Sequence, residues 1–299
     1  MAFFAAVANR KGGVGKSTIT VMLAHALAVW GSKRVLILDL DSQCNTSLIL
    51  LGGQGWNEAR KAERTIADYF FDLFDGNTVM PKDYLIHGAG DVAGANGKAP
   101  TISLLPGSLM LEDVQGELYL KQAKESNDPD IVANRVGGRI QMLLRKFEGN
   151  YDVVLLDCPP GLSFAALAAL KIADRVIVPF RPDYVSELAV DRISLIIEDK
   201  RNQDALDEVP IADRRYVCLA NYVRDNGRDR LLIEEIGLKH PVLDTQLPMR
   251  DGIANAFDYI GGNRQSLADK YGNATEDLRR LYDEVSPLLS DRHSKIAAQ

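Results

Sequence analysis

A short apolar run, Phe3 to Ala8, opens into Asn9-Arg10-Lys11-Gly12-Gly13-Val14-Gly15-Lys16-Ser17-Thr18. Beyond it, Ile19, Met22, Leu23, Ala26, Leu27 and Trp30 recur at helical spacing, with Gly31 expected as the C-cap. No other stretch restricts the fold so strongly. Strand, glycine-rich turn and helix N-terminus, in that order, aim backbone N–H groups into one concavity that suits phosphate oxygens. Gly12, Gly13 and Gly15 make the turn around Val14. Lys16 is placed to neutralise the β- and γ-phosphates, the Ser17 hydroxyl to ligate Mg²⁺, and Thr18 to reach the α-phosphate. The strict pattern puts glycine at position 10, but Arg10 stands there and a second lysine, Lys11, opens the loop.

Two acidic stations follow further apolar runs. Val35 to Leu38 ends in Asp39-Leu40-Asp41-Ser42-Gln43, so two acids emerge at the edge of a sheet where α/β folds place ligands. Period two puts Asp39 and Asp41 on one side. By the phosphoryl-transfer template, Asp41 is assigned to the attacking water and to Mg²⁺ through water, with Asp39 in support. Val153 to Leu156 ends in Asp157-Cys158-Pro159-Pro160-Gly161, and Asp157 is assigned to Mg²⁺ through water, because that ion dehydrates reluctantly. Asp after a strand is also common turn chemistry, and Cys158 reads as packing.

β-type runs at Phe3–Ala8, Arg34–Leu38, Thr101–Leu105, Asp152–Leu156, Arg175–Pro179 and Arg215–Ala220 alternate with helical stretches. This predicts an α/β P-loop NTPase fold, a mainly parallel twisted sheet flanked by helices on both faces. Residues 1–299 read as one domain, with an elaboration about 52–100. Within it a helix is expected at Thr65–Phe74 and a loop at 88–100. A C-terminal helix is expected at about 275–289, then a frayed tail, 290–299. Met1 to Ala8 is too short for a secretion signal and reads as the first strand. No apolar run reaches the roughly 18 to 20 residues that span a bilayer, so no stable membrane insertion is expected. Cys44, Cys158 and Cys218 lack zinc or cluster spacing and fit a reducing cytoplasm. The net charge of −6 requires any contact with DNA to use a local basic patch.

With these residues set out, the chain resembles the ParA/Soj branch of the ParA/MinD superfamily of deviant-Walker partition ATPases. The resemblance rests on residues 11–18, on Asp39 to Gln43, on Tyr151 to Pro160 and on Ala173 to Pro179, with a weaker echo in Leu104-Leu105-Pro106-Gly107-Ser108. It implies ATP and Mg²⁺ as cofactors and an ATP-dependent homodimer in which Lys11 reaches the partner subunit's phosphates. Lys11, Lys16 and Asp41 then form the catalytic set. It also implies nonspecific DNA binding, nucleoid association in the cytoplasm, and slow hydrolysis stimulated by a ParB-like or cargo-bound protein. The cargo would be a plasmid, a chromosome or a protein assembly. Asn221 falls on the family's adenine side, with Pro248 as a neighbour. Ser42 stands where the family usually has proline and Cys44 where it has glycine. Before Phe3 there is no room for the helix-turn-helix domain that some plasmid members carry, so operator binding is not expected.

Arg224, Arg228, Arg230, Arg250 and Arg264 cluster after Asn221 and are nominated for DNA phosphates. Asp225, Asp229, Asp251 and Asp258 lie among them, the pattern of an ordinary solvated face. A MinD-like membrane-associated ATPase should end in a basic amphipathic helix, whereas Leu278 to Leu289 mixes Asp283 and Glu284 with Arg279 and Arg280. A metabolic P-loop ligase or synthase stays open, since fold does not fix function. An iron–sulfur scaffold lacks its cysteines, and a noncatalytic ATP-binding module fits poorly with Asp41 and Asp157.

Overall fold

The structure, a computed structural model, describes residues 1–94, 97–261 and 264–290, so the expected tail beyond Ser290 lies outside the described residues. In chain order the elements are β1 (Phe3–Val7), α1 (Lys16–Val29), β2 (Val35–Asp39), α2 (Asn45–Lys61), α3 (Ile66–Phe74), β3 (Ile86–His87), β4 (Ile102–Leu105), α4 (Leu111–Ala123), α5 (Pro129–Arg145), β5 (Val153–Asp157), α6 (Phe164–Ile172), β6 (Arg175–Phe180), α7 (Tyr184–Ile197), α8 (Gln203–Asp207), β7 (Tyr216–Val223), α9 (Gly227–Gly237), β8 (Leu247–Pro248), α10 (Asp251–Asn255), α11 (Leu267–Tyr271) and α12 (Thr275–Leu288).

The strands form one sheet in the order β3-β4-β2-β5-β1-β6-β7-β8. All pairs are parallel except β3 with β4. Both faces are covered, which is why the strands read as unbroken apolar runs and not as alternating ones. Phe4, Ala6, Leu36, Leu38, Val154 and Leu156 face the layer that includes α3 to α7. Phe3, Ala5, Val7, Val35, Ile37, Val153 and Leu155 face α1, α11 and α12. The register sets Asp39 of β2 beside Asp157 of β5, and Val7 of β1 on the other side of Asp157. The two acidic stations are therefore neighbours at the sheet edge into which the phosphate loop opens.

Helix α1 ends at Val29 with Trp30 as its cap, one residue earlier than the sequence implied. Gly31 is required for closeness, since a Cβ there would stand 2.7 Å from the Leu27 carbonyl oxygen, and the left-handed turn is made by Ser32 at φ 49°. The expected helix at 65–74 forms as α3, its cap a box in which Thr65 and Asp68 bond each other's backbone N–H. The elaboration begins differently from expectation. Gly52, Gly53 and Gly55 lie inside α2, which runs in two pieces about a kink at Gly52 (φ 68°, ψ 170°). The ring of Tyr259 occupies the space a side chain at position 52 would need, with Cδ1 2.6 Å from an ideal Cβ.

Helix α12 buries Leu278, Leu281 and Val285. Trp30 and Tyr282 meet edge to face at 5.7 Å. The apolar face of this helix thus packs into the core instead of being offered to a lipid surface. Among the described residues no helix is long and apolar enough to cross a membrane.

Under α1 lies a buried polar cluster. His25 Nδ1 is 2.9 Å from the Tyr271 hydroxyl, and Nε2 has no hydrogen-bond partner among the described residues. Lys270 pairs with Asp91 at 2.7 Å beside it. Burial, with the Lys270 charge, pushes His25 down to about 3 against the pull of Asp91. A depressed histidine stabilises the fold above its unfolded value of about 6.5, and that contribution is lost as pH falls from there toward 3. Wild type should lose about 2 kcal/mol from this group between pH 7 and 5. His25→Gln should lose that much less, as read from urea midpoints at the two pH values; parallel losses would show that His25 does not carry the effect.

Candidate active site

Two asparagines, Asn9 and Asn221, brace the phosphate loop. Asn9 donates its side-chain amide to the Pro179 carbonyl at 2.8 Å and accepts from the Lys11 N–H at 2.9 Å, tying the loop entry to the end of β6. Gly13 and Gly15 lie at φ 70° and 92°, a region that favours glycine, and Gly15 is the N-cap of α1. Asn221, buried at the end of β7, donates to the Val14 carbonyl at 2.9 Å. Lys16 is buried at the first turn of α1, its Nζ 3.4 Å from the Lys11 carbonyl. Burial pushes its pKa down, while Asp157 and Asp41 pull it back up.

The acids divide their work. Asp157 is fully buried and takes hydroxyls from Thr46 at 2.6 Å and Thr20 at 3.3 Å, and from Ser17. Strand β2 stops at Asp39, so the expected common side for Asp39 and Asp41 yields two different environments. Asp39 is turned onto Ser47, accepting its N–H at 2.9 Å and its hydroxyl at 2.6 Å. Gly107, in the Leu-Leu-Pro-Gly-Ser echo, leaves room for it, as a Cβ there would stand 2.9 Å from the Asp39 carboxylate. Asp41 lies past the strand, accepts the Gln43 N–H at 2.9 Å and lines the cleft. Burial raises all three carboxyls, and the Asp157 charge raises Asp39 further.

Cys44 holds a left-handed conformation, φ 56°, at the N-cap of α2, which accounts for the glycine the resemblance leads one to expect there. Burial pushes its thiol up to about 12. Ser42, in the place of proline, donates to Glu112 of α4 at 2.8 Å. Cys158 is buried, as a packing residue should be.

Lys11 leaves the loop and forms an ion pair with Asp183, the N-cap of α7. Sequence gave no hint of this partner. The cleft itself, about 540 Å³, is lined by Gly12, Gly13, Gly15, Lys16, Ser17 and Thr18 on one side and Asp41 and Gln43 on another. Leu48, Ile49 and Phe257 give it an apolar wall, and Arg181 and Tyr222 close the remaining side. Pro248 is half-buried in β8, paired with Val223, and is not among the lining residues. A larger cavity, about 640 Å³, lies at the opposite ends of the strands around Arg34, Thr101 and Tyr151, away from the phosphate loop.

The nominated arginines are mostly engaged. Arg224 reaches Asp229 at 4.0 Å, Arg230 pairs with Asp225, and Arg250 reaches the buried Asp277 at 2.5 Å. Arg228 lies 4.7 Å over the Tyr184 ring. Arg264 is exposed beside Gln265, which is hydrogen-bonded to Asp91 and Ala93 and not to the turn that carries Arg224. The structure therefore groups Arg224, Arg228 and Arg230 at the start of α9 and sets Arg264 on another segment.

Parallel sheet, glycine-rich loop at a helix N-terminus, two carboxylate stations and a second loop lysine define a P-loop NTPase of the deviant type. A family model described as an AAA domain matches residues 4–207. The chain belongs to this family, as a member of the ParA/MinD type. An uncharacterized protein of Pseudomonas putida is 34% identical over 184 residues, or 62% of this chain. The chain spans 58% of that relative's length. The chromosome partitioning protein ParA of Caulobacter vibrioides is 26% identical over 294 residues, covering 98% of this chain and 97% of its own. In fold, the Mg-ADP complex of the septum site-determining protein MinD from Pyrococcus horikoshii superposes with a TM-score of 0.62 at 19% identity, over 98% of this chain and 100% of its own. Cobyrinic acid a,c-diamide synthase from Mycobacterium smegmatis, with bound ADP and magnesium, gives a TM-score of 0.62 at 22% identity, over 95% of this chain and 96% of its own.

Proposed function

We propose that this protein binds and hydrolyses MgATP and acts as a partition or positioning ATPase whose ATP-bound form is a homodimer. The observation that carries the reading is a single cleft holding Lys16, Ser17 and Asp41 over the buried Asp157, with a second lysine, Lys11, held back by Asp183.

The residues present suit the cofactor. Hydroxyl and carboxylate oxygens are the ligands Mg²⁺ takes, and a nearby cation would offset the upward push that burial gives these carboxyls. Ser17 and Asp157 would hold the ion, Asp157 and Asp41 through its waters. Bound there, it neutralises charge developing on the phosphates. Lys16 and the N–H groups of residues 12–18 hold the phosphates, and Asp41 orients the attacking water. The apolar wall of Leu48, Ile49 and Phe257 suits a base.

In the dimer Lys11 exchanges Asp183 for the phosphates bound by a second copy. Light scattering on Asp41→Ala should find a dimer with ATP and a monomer with ADP or without nucleotide. Lys11→Ala should abolish the dimer, and Asp183→Asn, which releases Lys11, should form it at lower protein concentration. An assembly state indifferent to nucleotide would overturn the switch and favour a metabolic synthase on the same fold.

Nonspecific DNA binding by the ATP form, through Arg224, Arg228, Arg230 and Arg250 with Arg264 as an outlying contact, belongs to the same reading, as does stimulation by a ParB-like or cargo-bound protein. The acids beside these arginines must be outcompeted by DNA phosphate, so retention should fall steeply with salt. ATP-loaded protein that passes through immobilised duplex DNA at low salt would refute this part.

A further inference from the structure

Arg181 is the cationic wall of the cleft to which the roles above give no task. It follows β6 directly, is exposed, and lines the cleft together with Gly12, Gly13, Lys16 and Tyr222. Its guanidinium carbon lies 4.0 Å from the centroid of the Tyr222 ring.

Three observations suggest a purpose for this pair. No carboxylate lies within ion-pair distance of Arg181 among the described residues, whereas Arg224, Arg230 and Arg250 each have one. The closest acid along the chain, Asp183, is engaged with Lys11. Tyr222, secondly, sits at φ 57°, in the left-handed region that an aromatic residue rarely occupies, where the pairing of β7 with β8 shifts register between Asn221 and Val223. An irregularity of this kind re-aims a side chain beside a functional site, and here it turns the ring to the cleft. Thirdly, the strand end that carries Arg181 is fixed to the phosphate loop through Asn9 and Pro179.

Stacking occupies the face of a guanidinium and leaves its edge N–H groups free for oxygen acceptors. We infer that Arg181, positioned on the Tyr222 ring, is a phosphate-binding residue of the cleft, directed at the charged end of a nucleoside triphosphate. The inference rests on the ATP reading above. Tyr222 acts through Arg181 and is a positioning residue. An arginine can make paired hydrogen bonds to phosphate oxygens that a lysine cannot, so charge alone should not replace it.

The test is equilibrium binding of mant-ATP, mant-ADP and mant-AMP to the full chain. Arg181→Ala should weaken mant-ATP by about tenfold, the scale of one charge-assisted contact, and mant-AMP by less than about twofold. Arg181→Lys should recover only part of the loss. Tyr222→Phe keeps the ring and should bind as wild type, while Tyr222→Leu should follow Arg181→Ala. Melting of Arg181→Ala without nucleotide should match wild type, because the side chain is exposed. Unchanged mant-ATP affinity in Arg181→Ala, or an equal loss for mant-AMP, would overturn the assignment. Wild-type protein that does not retain mant-ATP would overturn the nucleotide reading, and this inference with it.

Discussion

Gly15→Ala is expected to lower ATP affinity by two orders of magnitude or more. A methyl group at this position would stand 2.2 Å from the Asn221 amide nitrogen and 3.6 Å from the Tyr222 ring. Asn221 cannot simply swing aside, because it is buried and its amide is spent on the Val14 carbonyl. The backbone at φ 92° adds about 1–2 kcal/mol for any residue with a Cβ. The loop must therefore open, and the N–H groups that converge on phosphate lose their common direction. Gly12→Ala is the contrasting case, since a Cβ there meets open space, and its melting temperature should stay at the wild-type value. Mant-ATP titration measures the first effect; near wild-type affinity in Gly15→Ala would mean that the loop does not bind in the form seen here.

Turnover is expected to fall by roughly 10²–10³ in Asp41→Ala while ATP affinity changes by less than about threefold. Asp41 lines the cleft with Lys16, yet among the described residues its carboxylate is anchored by the Gln43 N–H alone, so its removal leaves the phosphate contacts in place. Asp39 is the opposite case, an acid with three donors and no opening to the cleft, and its loss should register as unfolding more than as slow chemistry. Single-turnover hydrolysis and equilibrium binding on the same preparations separate the two. If Asp41→Ala keeps its rate within tenfold, the water-orienting role is wrong.

Much of this was readable from sequence because the phosphate loop and both acidic stations are local patterns, each fixed by the end of one strand. The six apolar runs all became strands within a few residues of where they were placed. β3 and β8 are two residues long and carry no periodicity to read. Helix α2 was hidden by Gly52, Gly53 and Gly55, whose meaning depends on Tyr259 packing from far along the chain. The partner of Lys11 is 172 residues away, and no local rule announces Asp183. Nor could alternation tell which of Asp39 and Asp41 faces the ligand, since the strand stops at the first of them.

Thr46 and Ser47 are adjacent in the first turn of α2, yet Thr46 bonds Asp157 of β5 and Ser47 bonds Asp39 of β2. One turn of helix thus grips two strands at once, and the carboxylate it grips on β5 is the one assigned to the metal. When that carboxylate is drawn to a cation, the Thr46 hydroxyl must yield it or follow it. The kink at Gly52, against the Tyr259 ring, is the point in α2 where such a shift would be absorbed. Amide exchange in residues 45–51 should accordingly respond to Mg²⁺ and nucleotide before the rest of the chain does, making this turn the molecule's internal report of what the cleft contains.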